Sequence, residues 1–177
     1  MFKKVALYGL AFGSLSASMV LIQYINGLIL KPGTFVSAIP ILANILLPAF
    51  GVFMLIRALS RLKTDKPINM GKALFGALIM CVIVAFCNIA AYQHIFYNKK
   101  HIIVDFKKFQ NTLITKSYNS DTTLTAADRE EKIKTAVAAV EENMSVSSFG
   151  RMELMMCLST GMVVALLTFL RSNKAPE

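Results

Sequence analysis

Three residues have both the types and the spacing that chemistry would need. His94, His101 and Asp105 follow an i, i+7, i+11 pattern along one helix face, and imidazole and carboxylate are common metal ligands. Geometry weighs against a metal site. Residues seven apart on a straight helix stand about 10 Å apart at its 1.5 Å rise, whereas ligands of one ion approach it to about 2 Å. These residues read as polar interface positions. Glu153 is the one carboxylate touching an apolar run; it is placed at the run's outer edge, where a lone hydrated acid makes no proton relay. The chain has no HExxH, no GxSxG and no glycine-rich phosphate loop, and its Ser and Thr residues lack a His/Asp pairing that would make a nucleophile. Cys81, Cys87 and Cys157 form no CxxC, are odd in number and lie in apolar runs, so they read as small packing residues. The expectation is a non-enzymatic protein without a metal or other cofactor.

The elements that must carry these residues are membrane spans. Of 177 residues, 55% are hydrophobic and 16% charged, mean hydropathy is +0.57, and the apolar residues come in long runs. That arrangement suits lipid better than a soluble core. Predicted spans cover 5–30, 35–56, 71–97 and 152–170. The first follows Lys3-Lys4 and is far longer than the h-region of a cleaved signal, so it reads as a retained anchor. Gly9, Gly13 and Ala17 share one of its faces, a small-residue stripe that admits close helix packing; Ser14, Ser16 and Ser18 are expected to bond back to their own helix's carbonyls. Lys31-Pro32-Gly33 ends it. The second span carries Pro40 and Pro48, and a proline kink is expected there. Gln23, Pro40, Asn44, Pro48 and Asn88 are the polar or helix-breaking positions that a pathway or a bundle interior would use. Tyr92, Phe96 and Tyr97 fall where an interface belt would lie.

A net charge of +9 would suggest nucleic acid in a soluble chain, but no basic–aromatic module accompanies it. The excess flanks the spans instead. Arg57, Arg61, Lys63, Lys66 and Lys72 crowd one short loop, which the positive-inside rule keeps in the cytoplasm and which meets anionic lipid headgroups there. With Lys3, Lys4, Arg171 and Lys174 on the same side, both termini are expected to be cytoplasmic and residues 98–150 to lie outside.

That outer segment is itself helical. Ile102, Phe106, Phe109 and Leu113 keep an i, i+4, i+7, i+11 spacing with no proline or glycine before them, so span three is predicted to run on as one helix to about Lys116. Ser117–Thr123 reads as a turn. Thr125 with Asp128 fits a helix cap, and Ile133, Val137, Val140 and Met144 give a second apolar stripe. Two such helices cannot bury both stripes in a core of their own. Phe106, Phe109, Leu113, Ile133, Val137 and Val140 are therefore candidate contacts for a second copy, another membrane protein or the outer leaflet.

The opening Lys3-Lys4-x-Ala6-Leu7-Tyr8-Gly9-Leu10-x-x-Gly13, the four spans and the helical stretch Asp128–Met144 before the last span resemble a family of small bacterial inner-membrane proteins catalogued as domain of unknown function 4199, of the Bacteroidota type. The resemblance implies an inner-membrane location and companionship with envelope-building enzymes such as polyprenyl-phosphate glycosyltransferases. The expected fold is an all-α integral membrane protein of four transmembrane helices, with an extramembrane helical hairpin between helices 3 and 4. The expected role is an assembly or accessory subunit; the alternative is a small transporter or lipid-carrier flippase in cell-envelope glycan assembly.

Overall fold

The computed structural model describes residues 1–30, 35–60 and 69–172, without the side chains of Ile29, 35–37, 39–41 and Ser172. Lys31, Pro32, Gly33, Arg61, Lys63, Lys66, Lys174 and the side chain of Pro40 lie outside the described residues. The described chain is helical: α1 (Phe2–Ile25), a 3-10 turn (Leu28–Leu30), α2 (Phe35–Ser60), α3 (Met70–Asn98), α4 (Lys100–Asn119), α5 (Ala126–Asn143) and α6 (Val146–Ser172). Four helices, α1, α2 from Leu42, α3 and α6, are long and apolar enough to cross a membrane.

Local chemistry sets most helix ends. α1 is followed by Gly27 at φ +63°, a left-handed conformation that glycine adopts without strain. The Asn69 side chain caps α3 by accepting the Lys72 N–H at 2.8 Å. α6 begins at Val146, well before the predicted Met152. Ser147, Ser148 and Arg151 dilute the hydropathy of its first turns, yet Ser145 Oγ accepts the Ser148 N–H at 3.2 Å and starts the helix there.

The four apolar helices alternate in direction. Gly9 of α1 lies against Ile83 of α3 and Gly13 against Val84 and Cys87, so these two helices run parallel. α2 runs antiparallel to α1, with Lys4 Nζ donating to the Ala58 carbonyl at 3.3 Å. α6 runs antiparallel to α3, setting Gly150 on Ile89 and Gly161 on Cys81. The result is an up-down-up-down bundle. A Cβ on Gly13 would stand 2.8 Å from Cys87 Sγ and 3.3 Å from Val84 Cα, so the small-residue face of α1 is used within the chain; Ala17 packs beside it. One apolar core joins Val5, Val52, Leu55, Ile56, Met80 and Val84. Outward, Leu7, Leu10, Leu46, Phe50, Phe86, Met155 and Leu167 form an exposed apolar belt.

α3 and α4 are separate helices rather than the single one predicted to Lys116. Lys99 leaves helical geometry (φ −128°, ψ 45°), while its N–H still bonds to Ile95 O and its carbonyl accepts from Ile102 N–H, both at 2.9 Å. The bend lays Ile102, Ile103 and Phe106 onto Tyr24 and Tyr92. Burial gained there outweighs the continuity that the absence of proline and glycine would otherwise favour. α5 starts as its capping pattern predicts, with Thr125 Oγ1 accepting the Asp128 N–H at 3.2 Å.

Candidate functional site

The polar side chains of the bundle interior meet in one layer. Asn88 Nδ2, from α3, donates to Glu153 Oε1 of α6 at 2.5 Å and to Ser16 Oγ of α1 at 3.0 Å. Ser16 Oγ in turn donates to Asn44 Oδ1 of α2 at 3.1 Å. Each apolar helix thus contributes one residue to a single hydrogen-bonded chain. The four stand about two to three turns, or roughly 10–15 Å, from the helix ends nearest α4 and α5. Cys157 Sγ, one turn on from Glu153, lies 3.9 Å from the same carboxyl oxygen, and the Tyr92 phenol lies beside that carboxyl.

Burial of this layer is nearly complete: Ser16 and Asn88 are 0% exposed and Glu153 1%. Buried polar atoms in proteins nearly always find partners, yet among the described residues Asn88 Oδ1 has none. Rings close the layer on the side toward α4. Tyr24 lies 5.9 Å from Tyr92 and 6.2 Å from Phe106 between ring centroids, and Phe149 lies 5.1 Å from Tyr92 and 5.7 Å from Phe96.

Several expectations change here. Glu153 is not at a hydrated edge, because the earlier start of α6 carries it about two turns into the helix. Ser16 bonds across the bundle, whereas Ser18 does bond back to Ser14 O, at 2.8 Å. Tyr92 is buried in the ring cluster, and only Tyr97, 70% exposed, fits a surface belt. Asn44 and Asn88 are brought together through Ser16; Gln23 and Pro48 are buried nearby in α1 and α2. A helical count along α1 would have found Ser16, since Val5, Gly9, Gly13, Ser16, Val20 and Gln23 share its buried face. His94 and His101 are exposed, and His94 Nδ1 pairs with Asn98 Nδ2 at 3.2 Å.

Beyond the layer, α4 and α5 pack on each other and are joined by the Lys107–Glu141 ion pair. Coverage falls with distance from the bundle. Phe106 is 7% exposed and packs against Tyr24 within the chain. Phe109, Ile133, Val137 and Val140 are half-buried and Leu113 is 40% exposed; α5 has no buried residue at all. A largely apolar cavity of about 430 Å³ opens where Val140, Met144, Phe149 and Met152 meet. In the connecting turn, the Thr123 hydroxyl and N–H both bond to Asp121 Oδ1 and hold its carboxyl below the usual range. At the opposite end of the bundle Arg57 and Arg171 line a cavity of about 310 Å³ with Phe53, Ser60 and Thr168.

Comparisons with protein-family models, with curated proteins and with solved structures found no match to this chain.

Proposed function

We propose that the chain is a non-catalytic assembly subunit of a bacterial inner membrane, in which α4 and α5 form an extramembrane hairpin that pairs with the hairpin of a second copy. The observation carrying this reading is that α5 buries no residue although Ile133, Val137 and Val140 align along it. A two-helix unit has no interior, and two antiparallel hairpins close into a four-helix core. Charge favours a like partner. α4 exposes Lys100, Lys108 and Lys116, α5 exposes Glu130, Glu131 and Glu142, and Lys107–Glu141 already joins the two helices within one chain. A two-fold axis would set each α4 against the other copy's α5.

Orientation follows from the basic end of the bundle. Lys3, Lys4, Arg57, Lys72 and Arg171 lie where α1 and α3 begin and α2 and α6 end, and the positive-inside rule assigns that end to the cytoplasm. Arg57 and Arg171 there would face anionic headgroups. The transporter alternative draws less support, because Asn44 and Asn88 sit in a packed layer. Membership in the small-membrane-protein family that the sequence resembles is part of the same proposal.

The test is a single cysteine at Val137 in a variant with Cys81, Cys87 and Cys157 replaced by Ala, crosslinked in native membranes. A chain–chain dimer across Val137→Cys is expected. Monomer alone, or a crosslink only to a different protein, overturns pairing with a second copy.

A further inference from the structure

Among the described residues, the buried layer contains a carboxyl group without a recorded counter-charge. Every group recorded against Glu153 is neutral in its ordinary state: Asn88 and Cys157 bond to it, Tyr92 and Tyr24 lie beside it, and Cys81 of α3 lies beside Cys157. α2 presents Asn44, which reaches the layer through Ser16. Among the described residues the recorded ion pair is Lys107–Glu141, which belongs to α4 and α5. Arg151, two residues before Glu153, is exposed and bonds to Ser148 Oγ at 3.4 Å. An ionised carboxylate buried away from water and without a cation is costly, and intramembrane acids of this kind mark proton or ion sites.

The second observation is independent of Glu153. Among the described residues, Asn88 Oδ1 is buried and accepts no hydrogen bond, although its own amide nitrogen holds the carboxyl. The layer therefore holds an acceptor that lacks a donor. A single proton on the carboxylate adds a donor to the layer, as a carboxyl O–H. A metal ion fits less well. It would need oxygens where Asn88 presents its amide nitrogen 2.5 Å from the carboxyl, and Ser16 and Asn88 are both fully buried.

We propose that Glu153, held by Asn88 and linked through Ser16 to Asn44, is a proton-binding site inside the four-helix bundle. The proton comes from solvent water and forms an O–H bond on the carboxylate; on release it returns to water, leaving the carboxylate to its neutral neighbours. The site requires the four apolar helices to lie in a bilayer, and it does not require the hairpin to pair with a second copy.

The experiment is infrared difference spectroscopy of the full chain in lipid vesicles, comparing wild type with Glu153→Gln and Asn88→Asp. At pH 7 the wild type is expected to show one protonated-carboxyl carbonyl band per chain. That band shifts in D₂O, titrates reversibly with pH, is lost in Glu153→Gln and moves in Asn88→Asp. Because a variant may misfold, proton release is also measured on the wild type alone, and unfolding it at pH 7 in weakly buffered solution should release one additional proton per chain. A wild type with only ionised carboxylates at pH 7, or a carboxyl signal that responds to sodium at constant pH, overturns the assignment. Chain–chain crosslinking at Val137 reads the pairing proposal separately, so either can fail without the other.

Discussion

The polar layer and the α4–α5 pair solve opposite problems with the same elements. In the layer, four polar side chains on four apolar helices are drawn inward until Ser16 and Asn88 have no exposed surface. In the pair, apolar side chains on two polar helices are left half-covered, and α5 buries none of them. The bundle already has a low-dielectric interior, so any polar group in it must be satisfied by another. The pair has one shared seam, and its far surfaces are left open. Fixed internal partners characterise the first region and an unfilled surface the second.

That contrast is easiest to break at Asn88. Asn88→Leu removes the donor for Glu153 and Ser16 and should cost about 3 kcal/mol of bundle stability, the upper end for orphaning buried polar groups. Unfolding in mixed micelles measures it. A loss below about 0.5 kcal/mol would show that the layer is incidental to the bundle.

Thr125→Ala sharpens the contrast from the other side. Loss of the α5 cap should cost about 1 kcal/mol, read as faster amide exchange over Ala126–Asn143 with protection in α1 and α3 unchanged. Equal loosening of all six helices would make the molecule one cooperative unit and erase the distinction.

The smallest expected effect concerns Asp121, whose carboxyl is held below the usual range chiefly by the Thr123 hydroxyl and then by its N–H. Its folded form therefore favours ionisation. The contribution is fully present above the ordinary Asp value of about 3.9 and is lost as pH falls through the depressed value. Amide exchange at Thr123 should rise over that interval, and Asp121→Asn should show no such step.

The bundle was legible because hydropathy and helix length act over twenty residues at a time, so single polar residues hardly disturb the count. Gly9 and Gly13 were legible for a related reason: small residues at helical spacing have one main use in a packed span. Glu153 was misplaced because three polar residues ahead of it, Ser147, Ser148 and Arg151, resemble a loop by composition while serving as the first turns of α6. Depth in a helix depends on where it starts, and the starting serines were counted as linker. Ser16 shared the periodicity of Gly13 but was read by residue type, and its type alone permits either a local or a cross-helix bond. The break at Lys99 had no local signal. It follows from the rings of Tyr24, Tyr92 and Phe149, which are far apart in sequence.

α4 meets the bundle through the backbone at Lys99 and through Ile102, Ile103 and Phe106, which pack on its rings. Phe106 lies against Tyr24, whose ring abuts Tyr92, which lies beside Glu153. Tilting α4 outside the bundle would press or relieve the rings above the carboxyl. Among the described residues, the two regions are mechanically connected close to a buried acid.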